Sequence, residues 1–219
     1  MEARTSPTGR RPDPDQEDSM DCRSVIFDVG NVLLKWDPAG MLEQAVADPQ
    51  ARSRYLRGIF AHPRWLALDA GEIDFERALE EYAGELDSPP QEVLRLLDQA
   101  NRSLQPLPSG IALLEELHRR GTDLLCLTNM GLRTFDYLRA RHGFWERFRH
   151  IVVSARVRLI KPDPAIFRLL LEQAGVEAAT TLFIDDHLPN VESARTLGIV
   201  AEHYDGSVAC LERIRACLA

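Results

Sequence analysis

No run of apolar residues in this 219-residue chain is long enough to cross a bilayer, and its N-terminal stretch lacks the apolar core of a signal peptide. Those absences make the cytoplasm the expected location and leave no membrane as a partner. Positive charge is also scarce. Against 34 Asp and Glu there are 26 Lys and Arg, and the net charge of -8 speaks against nucleic acid or an anionic membrane surface. An acidic chain that handles an anionic substrate then needs local help from a lysine, a metal ion or backbone N–H groups. Cysteine is sparse, and Cys22, Cys126, Cys210 and Cys217 show neither the pairing of a disulfide framework nor the spacing of a zinc site, so reduced thiols are expected. Internal repeats are lacking too.

What is present is organised around Ser24-Val25-Ile26-Phe27-Asp28-Val29-Gly30-Asn31. Its apolar start predicts a short buried strand, and the turn residues after Asp28 predict its end. A carboxylate closing a buried strand is costly unless something uses it, and in open α/β sheets the crevice beyond the strand ends is where ligands bind. With 45% hydrophobic residues the chain has material for one substantial core, or one core plus an insert.

Residues 1–22 are rich in Arg, Pro, Asp and Ser and nearly devoid of apolar side chains, which predicts a disordered tail. Met20 just before the first strand also fits an upstream extension from a misplaced start, and removing residues 1–19 is expected to leave stability and rate unchanged. From 37 to 105 strands give way to helical spacing. Phe75, Ala78, Leu79, Tyr82 and Ala83 share a face behind Asp74 as N-cap, and Ser88-Pro89-Pro90-Gln91 reads as a capping box before the apolar face of Val93, Leu97, Ala100 and Leu104. From 106 onward strands and helices alternate. Strands are predicted at Leu124–Leu127, His150–Ser154, Thr181–Ile184 and Gly198–Ala201, with helices at Ile111–Arg120, Leu132–Ala140, around Phe167–Ala174 and through Val208, Leu211 and Ile214. The expected fold class is α/β, a doubly wound parallel sheet formed by 23–36 and 106–219 with a helical segment inserted after the first strand.

The strand ends offer Asp28, Thr128-Asn129, Lys161 and Asp185-Asp186, which a parallel sheet gathers on one rim. Taken singly, Thr128-Asn129 also reads as a helix N-cap, Lys161-Pro162-Asp163-Pro164 as a helix entry and Asp185-Asp186 as an exposed turn. Their succession at strand ends favours a site. The order and residue types resemble the haloacid dehalogenase superfamily, and Phe27-Asp28-Val29-Gly30-Asn31-Val32-Leu33 resembles most the branch that includes bacterial α-D-glucose-1-phosphate phosphatase. The resemblance implies a Rossmann-like core with a helical cap. It also implies Asp28 as nucleophile, Thr128 and Asn129 at the phosphate, Lys161 as charge-neutralising lysine, and Mg held by Asp28, the Gly30 carbonyl, Asp186 and Asp185. His62, Arg64 and Trp65 between cap helices are candidates for facing the substrate.

The expected activity is Mg-dependent hydrolysis of a small cytosolic phosphomonoester, a sugar phosphate, through an aspartyl phosphate, with no nucleic acid as partner. A metal-free 2-haloacid dehalogenase and a degenerate family member acting as a binding partner are the alternatives. One position departs from the family pattern: Gly30 stands where most phosphatases of the superfamily carry a second Asp as general acid and base. His187 and Asp37 are weak substitutes, and the expectation is a steep dependence of rate on the leaving group.

Overall fold

The computed structural model describes residues 22–218. The expectations for the tail therefore lie outside the described residues, with one exception. Cys22 is buried, and its N–H donates to the Cys217 carbonyl, so this residue belongs to the core and not to the tail.

Five parallel strands, β1 (Ser24–Phe27), β2 (Asp123–Thr128), β3 (His150–Val153), β4 (Thr181–Asp185) and β5 (Val200–His203), form one sheet in the order β3-β2-β1-β4-β5. Side chains alternate across a strand, and both faces are covered. Val25, Phe27, Leu182 and Ile184 pack on one face with Leu113, Leu117, Cys210 and Ile214, from helices α6 (Pro108–Arg119) and α11 (Val208–Ala216), numbered in chain order. Ile26 and Phe183 point the other way, onto Ile166, Phe167, Val191 and Ala194 of α9 (Pro164–Ala174) and α10 (Leu188–Thr196). This is why the strands read as unbroken apolar runs: both faces are dry. Each fully buried aliphatic or aromatic side chain contributes about 1.5–3 kcal/mol.

Between β1 and α6 the chain forms helices α1 (Pro38–Ala45), α2 (Pro49–Tyr55), α3 (Pro63–Asp69), α4 (Phe75–Glu85) and α5 (Pro90–Ser103) around an apolar centre of their own that includes Leu42, Ile59, Tyr82 and Leu96. Chain entry and exit run side by side: Lys35 N–H donates to the Gln105 carbonyl at 2.9 Å and Leu107 N–H to that of Leu33 at 2.8 Å. Gly110 starts α6 against this crossing. A Cβ there would come within 1.8 Å of the Val32 carbonyl, so only glycine lets α6 approach.

Some local expectations shift. Asp74 caps α4, its Oδ1 accepting from Arg77 N–H, but Ser88 donates to the Leu86 carbonyl instead of capping α5, and the prolines alone set that entry. In α11 Val208 is exposed and Cys210 takes the buried position. β5 starts two residues later than predicted because Gly198 takes φ 78°, which closes α10 before the strand begins.

Candidate active site

Register brings the acids together before any side chain is considered. Phe27 pairs with Ile184 across β1 and β4, and Asp28 N–H donates to the Ile184 carbonyl at 2.9 Å, so Asp28 lies level with Asp185 on the same rim. β2 flanks β1 on the other side and ends at Thr128, which is buried. Lys161 enters from the loop after α8 (Ser154–Val157). Its Nζ donates to Asp28 Oδ1 at 2.7 Å, Asp185 Oδ2 at 2.6 Å and the Leu127 carbonyl at 3.0 Å, with the side chain only 1% exposed. Asn129 holds this lysine in place: its Oδ1 accepts from Lys161 N–H and its Nδ2 donates to the Lys161 carbonyl, both at 2.9 Å. The Asn129 amide, expected at the phosphate, clamps the lysine backbone and also lines the cavity beside Asp28.

The two adjacent acids differ. Asp185 is fully buried and accepts from His187 N–H and Asn190 Nδ2 as well as Lys161. Asp186 is partly exposed and accepts from Asn31 Nδ2 at 3.0 Å. Asn31 uses its other end to accept from Trp36 N–H at 2.9 Å and adopts φ 51°, a left-handed conformation that asparagine tolerates. Burial pushes Asp28 up to about 7 against the pull of Lys161, with Asp185 adding to the rise. Asp186 is raised as well, mainly by burial, against its bond from Asn31. Asp28 and Asp185 hold the Lys161 ammonium above its ordinary value despite burial.

Asp28, Asp185 and Asp186 each offer a carboxylate oxygen within 4.8 Å of the others. Three carboxylates and one ammonium leave an excess of two negative charges, and oxygen-only donors suit a hard divalent cation. Asn190 Oδ1 is buried without a donor, a further oxygen beside the cluster. The three carboxylates therefore fit a hard divalent cation such as Mg.

A cavity of about 150 Å³ adjoins the cluster, lined by the polar Asp28, Thr128, Asn129, Lys161 and Asn190, by Gly30, and by the apolar Trp36, Trp65, Leu104 and Met130. It adjoins a chamber of about 860 Å³ between the inserted helices and the core, the two sharing Trp65, Asp69 and Thr134. Trp65 stacks on Trp36 at 5.2 Å and packs on Phe60 at 5.3 Å. His62 and Arg64, its companions in the sequence expectation, line neither cavity. Arg64 pairs with Glu81 at 2.7 Å and with Glu85 at 2.6 Å and lies over the Tyr82 ring, while His62 Nδ1 caps α3 by accepting from Arg64 N–H. Their chemistry is used inside the insert. Arg64→Ala should accordingly lower the melting temperature by roughly 2–8 °C, from about 1–2 kcal/mol of ion-pair and cation–π interaction, and leave kcat unchanged. Thermal unfolding beside steady-state kinetics checks this, and a selective rise in KM would place Arg64 at the substrate instead.

The remaining candidates for the missing acid also fall away. Asp37 caps α1 through Gly40 N–H and pairs with Lys35, and both bonds hold its carboxyl below the usual range. His187 precedes α10 with its N–H on Asp185, and its ring does not line the cavity.

A family model described as a haloacid dehalogenase-like hydrolase matches residues 22–198. The chain belongs to that family. As a haloacid dehalogenase-like hydrolase it is an enzyme, and its five-stranded parallel sheet is the family's Rossmann-like core. It is 30% identical over 191 residues to sesquiterpene phosphatase astK of Aspergillus oryzae, covering 87% of this chain and 94% of that one. In fold it resembles the enzyme bt-2542 of Bacteroides thetaiotaomicron, whose asp12ala mutant is described in complex with magnesium and inorganic phosphate, at TM-score 0.68 and 21% identity over 85% of this chain and 95% of that one. It also resembles L-2-haloacid dehalogenase from Xanthobacter autotrophicus, at TM-score 0.64 and 25% identity over 88% and 81% of the two chains. No helix among the described residues of this hydrolase is long and apolar enough to cross a membrane.

Proposed function

We propose that this hydrolase is a Mg-dependent phosphomonoesterase that works through an aspartyl phosphate on Asp28. The observation that carries the reading is Lys161 Nζ bridging Asp28 and Asp185 while Asp186 stands within 4.8 Å. Bound Mg would offset the repulsion between the carboxylate nucleophile and the phosphate dianion. Asp28 attacks phosphorus in line, the ester P–O bond breaks, and water later cleaves the aspartyl phosphate to return Asp28 and inorganic phosphate. Lys161 fixes the Asp28 carboxylate and faces the charge that develops on phosphorus, and Thr128 at the end of β2 supplies a hydroxyl on the same wall. The inserted helices cover this site as a cap that excludes water. Adjacent acids with an excess of negative charge argue for a cation and against metal-free dehalogenation, which has no evident use for Asp186.

The substrate's organic part faces Trp36, Trp65, Leu104 and Met130, a wall that favours an apolar or flat group next to the phosphate. The likeness to a protein named a sesquiterpene phosphatase points the same way. A sugar phosphate, including an aldose 1-phosphate as in the glucose-1-phosphate phosphatase branch, is the second reading. It is favoured by the charged lining of the larger chamber, where Glu72, Asp74 and Arg133 are placed to meet hydroxyls. Buried Cys126 and Cys210 are thiols, in keeping with a cytoplasmic setting.

The test is kcat/KM for farnesyl monophosphate and glucose 1-phosphate with and without Mg, beside Asp28→Asn. The expected result is turnover that requires Mg and Asp28, with the terpenyl ester preferred by at least about tenfold, the scale of one or two buried methylene contacts. Activity that survives EDTA would revive the dehalogenase reading, and no turnover of any ester would favour a binding role.

A further inference from the structure

Asp69 ends α3 and lines both cavities, the smaller of them together with the nucleophile Asp28. It is anchored from two sides. Its Oδ1 accepts from Gly131 N–H at 2.8 Å and its backbone carbonyl accepts from Ser154 Oγ. Ser154 Oγ in turn accepts from Met130 N–H at 2.9 Å, so the anchor belongs to the segments that follow β2 and β3. Two residues on, Gly71 has φ 67° and a Cβ there would lie 2.3 Å from the Ala155 carbonyl, which fixes how closely this corner of the insert meets the core. A carboxyl held this way has a defined direction. No ion pair to it is formed among the described residues, in contrast to Arg64 or Asp37, whose charges are fully matched.

We propose that Asp69 is the general acid that protonates the leaving oxygen, taking the role that Gly30 leaves open. The assignment rests on the phosphomonoesterase reading above. Asp69 lines the same cavity of about 150 Å³ as Asp28 and Lys161, a space small enough that an ester whose phosphoryl group sits on Asp28 brings its leaving oxygen within reach of Asp69. As Asp28 bonds to phosphorus and the P–O bond to the organic group breaks, the electron pair goes to the ester oxygen, which takes the proton of Asp69 and leaves as an alcohol. In the second step the Asp69 carboxylate takes a proton from the water that attacks the aspartyl phosphate, Asp28 departs as carboxylate, and Asp69 is again an acid. Burial supports the acid form: it pushes Asp69 up to about 7, against the hydrogen bond from Gly131. Sequence alone conceals this residue, since an Asp closing a helix of the insert carries no motif.

The steep leaving-group dependence expected from Gly30 should accordingly appear only when Asp69 is removed. The experiment compares native enzyme and Asp69→Asn, at saturating Mg, on a series running from p-nitrophenyl phosphate to simple alkyl phosphates. Asn keeps the acceptor that holds Gly131, and p-nitrophenyl phosphate, whose leaving group needs no proton, reports whether the variant is folded. Asp69→Asn is expected to lose about 100-fold or more in kcat/KM on alkyl esters while its kcat/KM on p-nitrophenyl phosphate, set by the first step, stays near native and its kcat there falls because the second step has lost its base. A second variant extends the test. Gly30 lies outside the left-handed region, and a Cβ there meets only Asp28 Oδ2, at 3.9 Å, so Gly30→Asp combined with Asp69→Asn should recover part of the alkyl rate. Equal losses on all esters, or no loss on alkyl esters, overturns the assignment of Asp69 while leaving the phosphatase reading intact. If native enzyme turns over no ester in the presence of Mg, the phosphatase reading falls and this assignment falls with it.

Discussion

Lys161→Ala is expected to lower kcat by about 10³-fold and to destabilise the fold by about 3–5 kcal/mol. The catalytic half follows from position: the ammonium lies 2.7 Å from Asp28 Oδ1, on the wall that faces the phosphoryl group. The stability half follows from burial. Lys161 is one of only two lysines among 26 basic residues, and with its side chain 1% exposed it is the sole cation hydrogen-bonded to Asp28 and Asp185 among the described residues. Removing it leaves two carboxylates side by side in a dry rim. The motif by itself predicts a loss of rate in an intact fold, and the burial adds the loss of stability. Kinetics and thermal unfolding of the same preparation separate the two, and near-native turnover would remove Lys161 from the site.

Asp186→Ala should behave differently. The rate falls as steeply, but a partly exposed carboxylate leaves an over-acidic cluster, so the melting temperature without metal stays level or rises. What disappears is stabilisation by Mg. At 100 times Kd the native enzyme should gain about 2.7 kcal/mol, roughly 5–10 °C in melting temperature, and the variant should gain little of it.

The sheet was legible because each strand is a short apolar run buried on both faces and each run stops at a polar residue. Asp28, Thr128, Lys161 and Asp185-Asp186 were legible for the same reason: strand ends in a parallel sheet share a rim, so order along the chain becomes proximity in space. The residues that sequence reading placed differently are those whose partners come from elsewhere in the chain. Asn129 is committed to the Lys161 backbone 32 positions away, Asn31 to Asp186, and Arg64 to two glutamates on α4. Asp69 escaped altogether. Its anchors, Gly131 and Ser154, lie 62 and 85 positions downstream, and only the packing of the insert on the core brings them together. Of the His62, Arg64 and Trp65 stretch, Trp65 alone reaches the cavity, because helical geometry turns its neighbours toward α4.

Asp28→Asn is expected to abolish turnover, by about 10⁴-fold or more, since an amide is no nucleophile and Asp28 is the cavity carboxylate that Lys161 holds. The fold should survive, because Lys161 keeps Asp185 and the Leu127 carbonyl as partners. Retained activity in this variant would move the chemistry away from β1.

The claim on which the account turns is that the phosphoryl group passes through Asp28. Native enzyme mixed rapidly with Mg and p-nitrophenyl phosphate, quenched in acid and digested, should yield the peptide spanning Ser24–Leu34 carrying one phosphate on Asp28, absent when Mg is omitted and absent from Asp28→Asn. Mg-dependent turnover with no phosphorylated Asp28 at any quench time, or phosphate found on another residue, would contradict it.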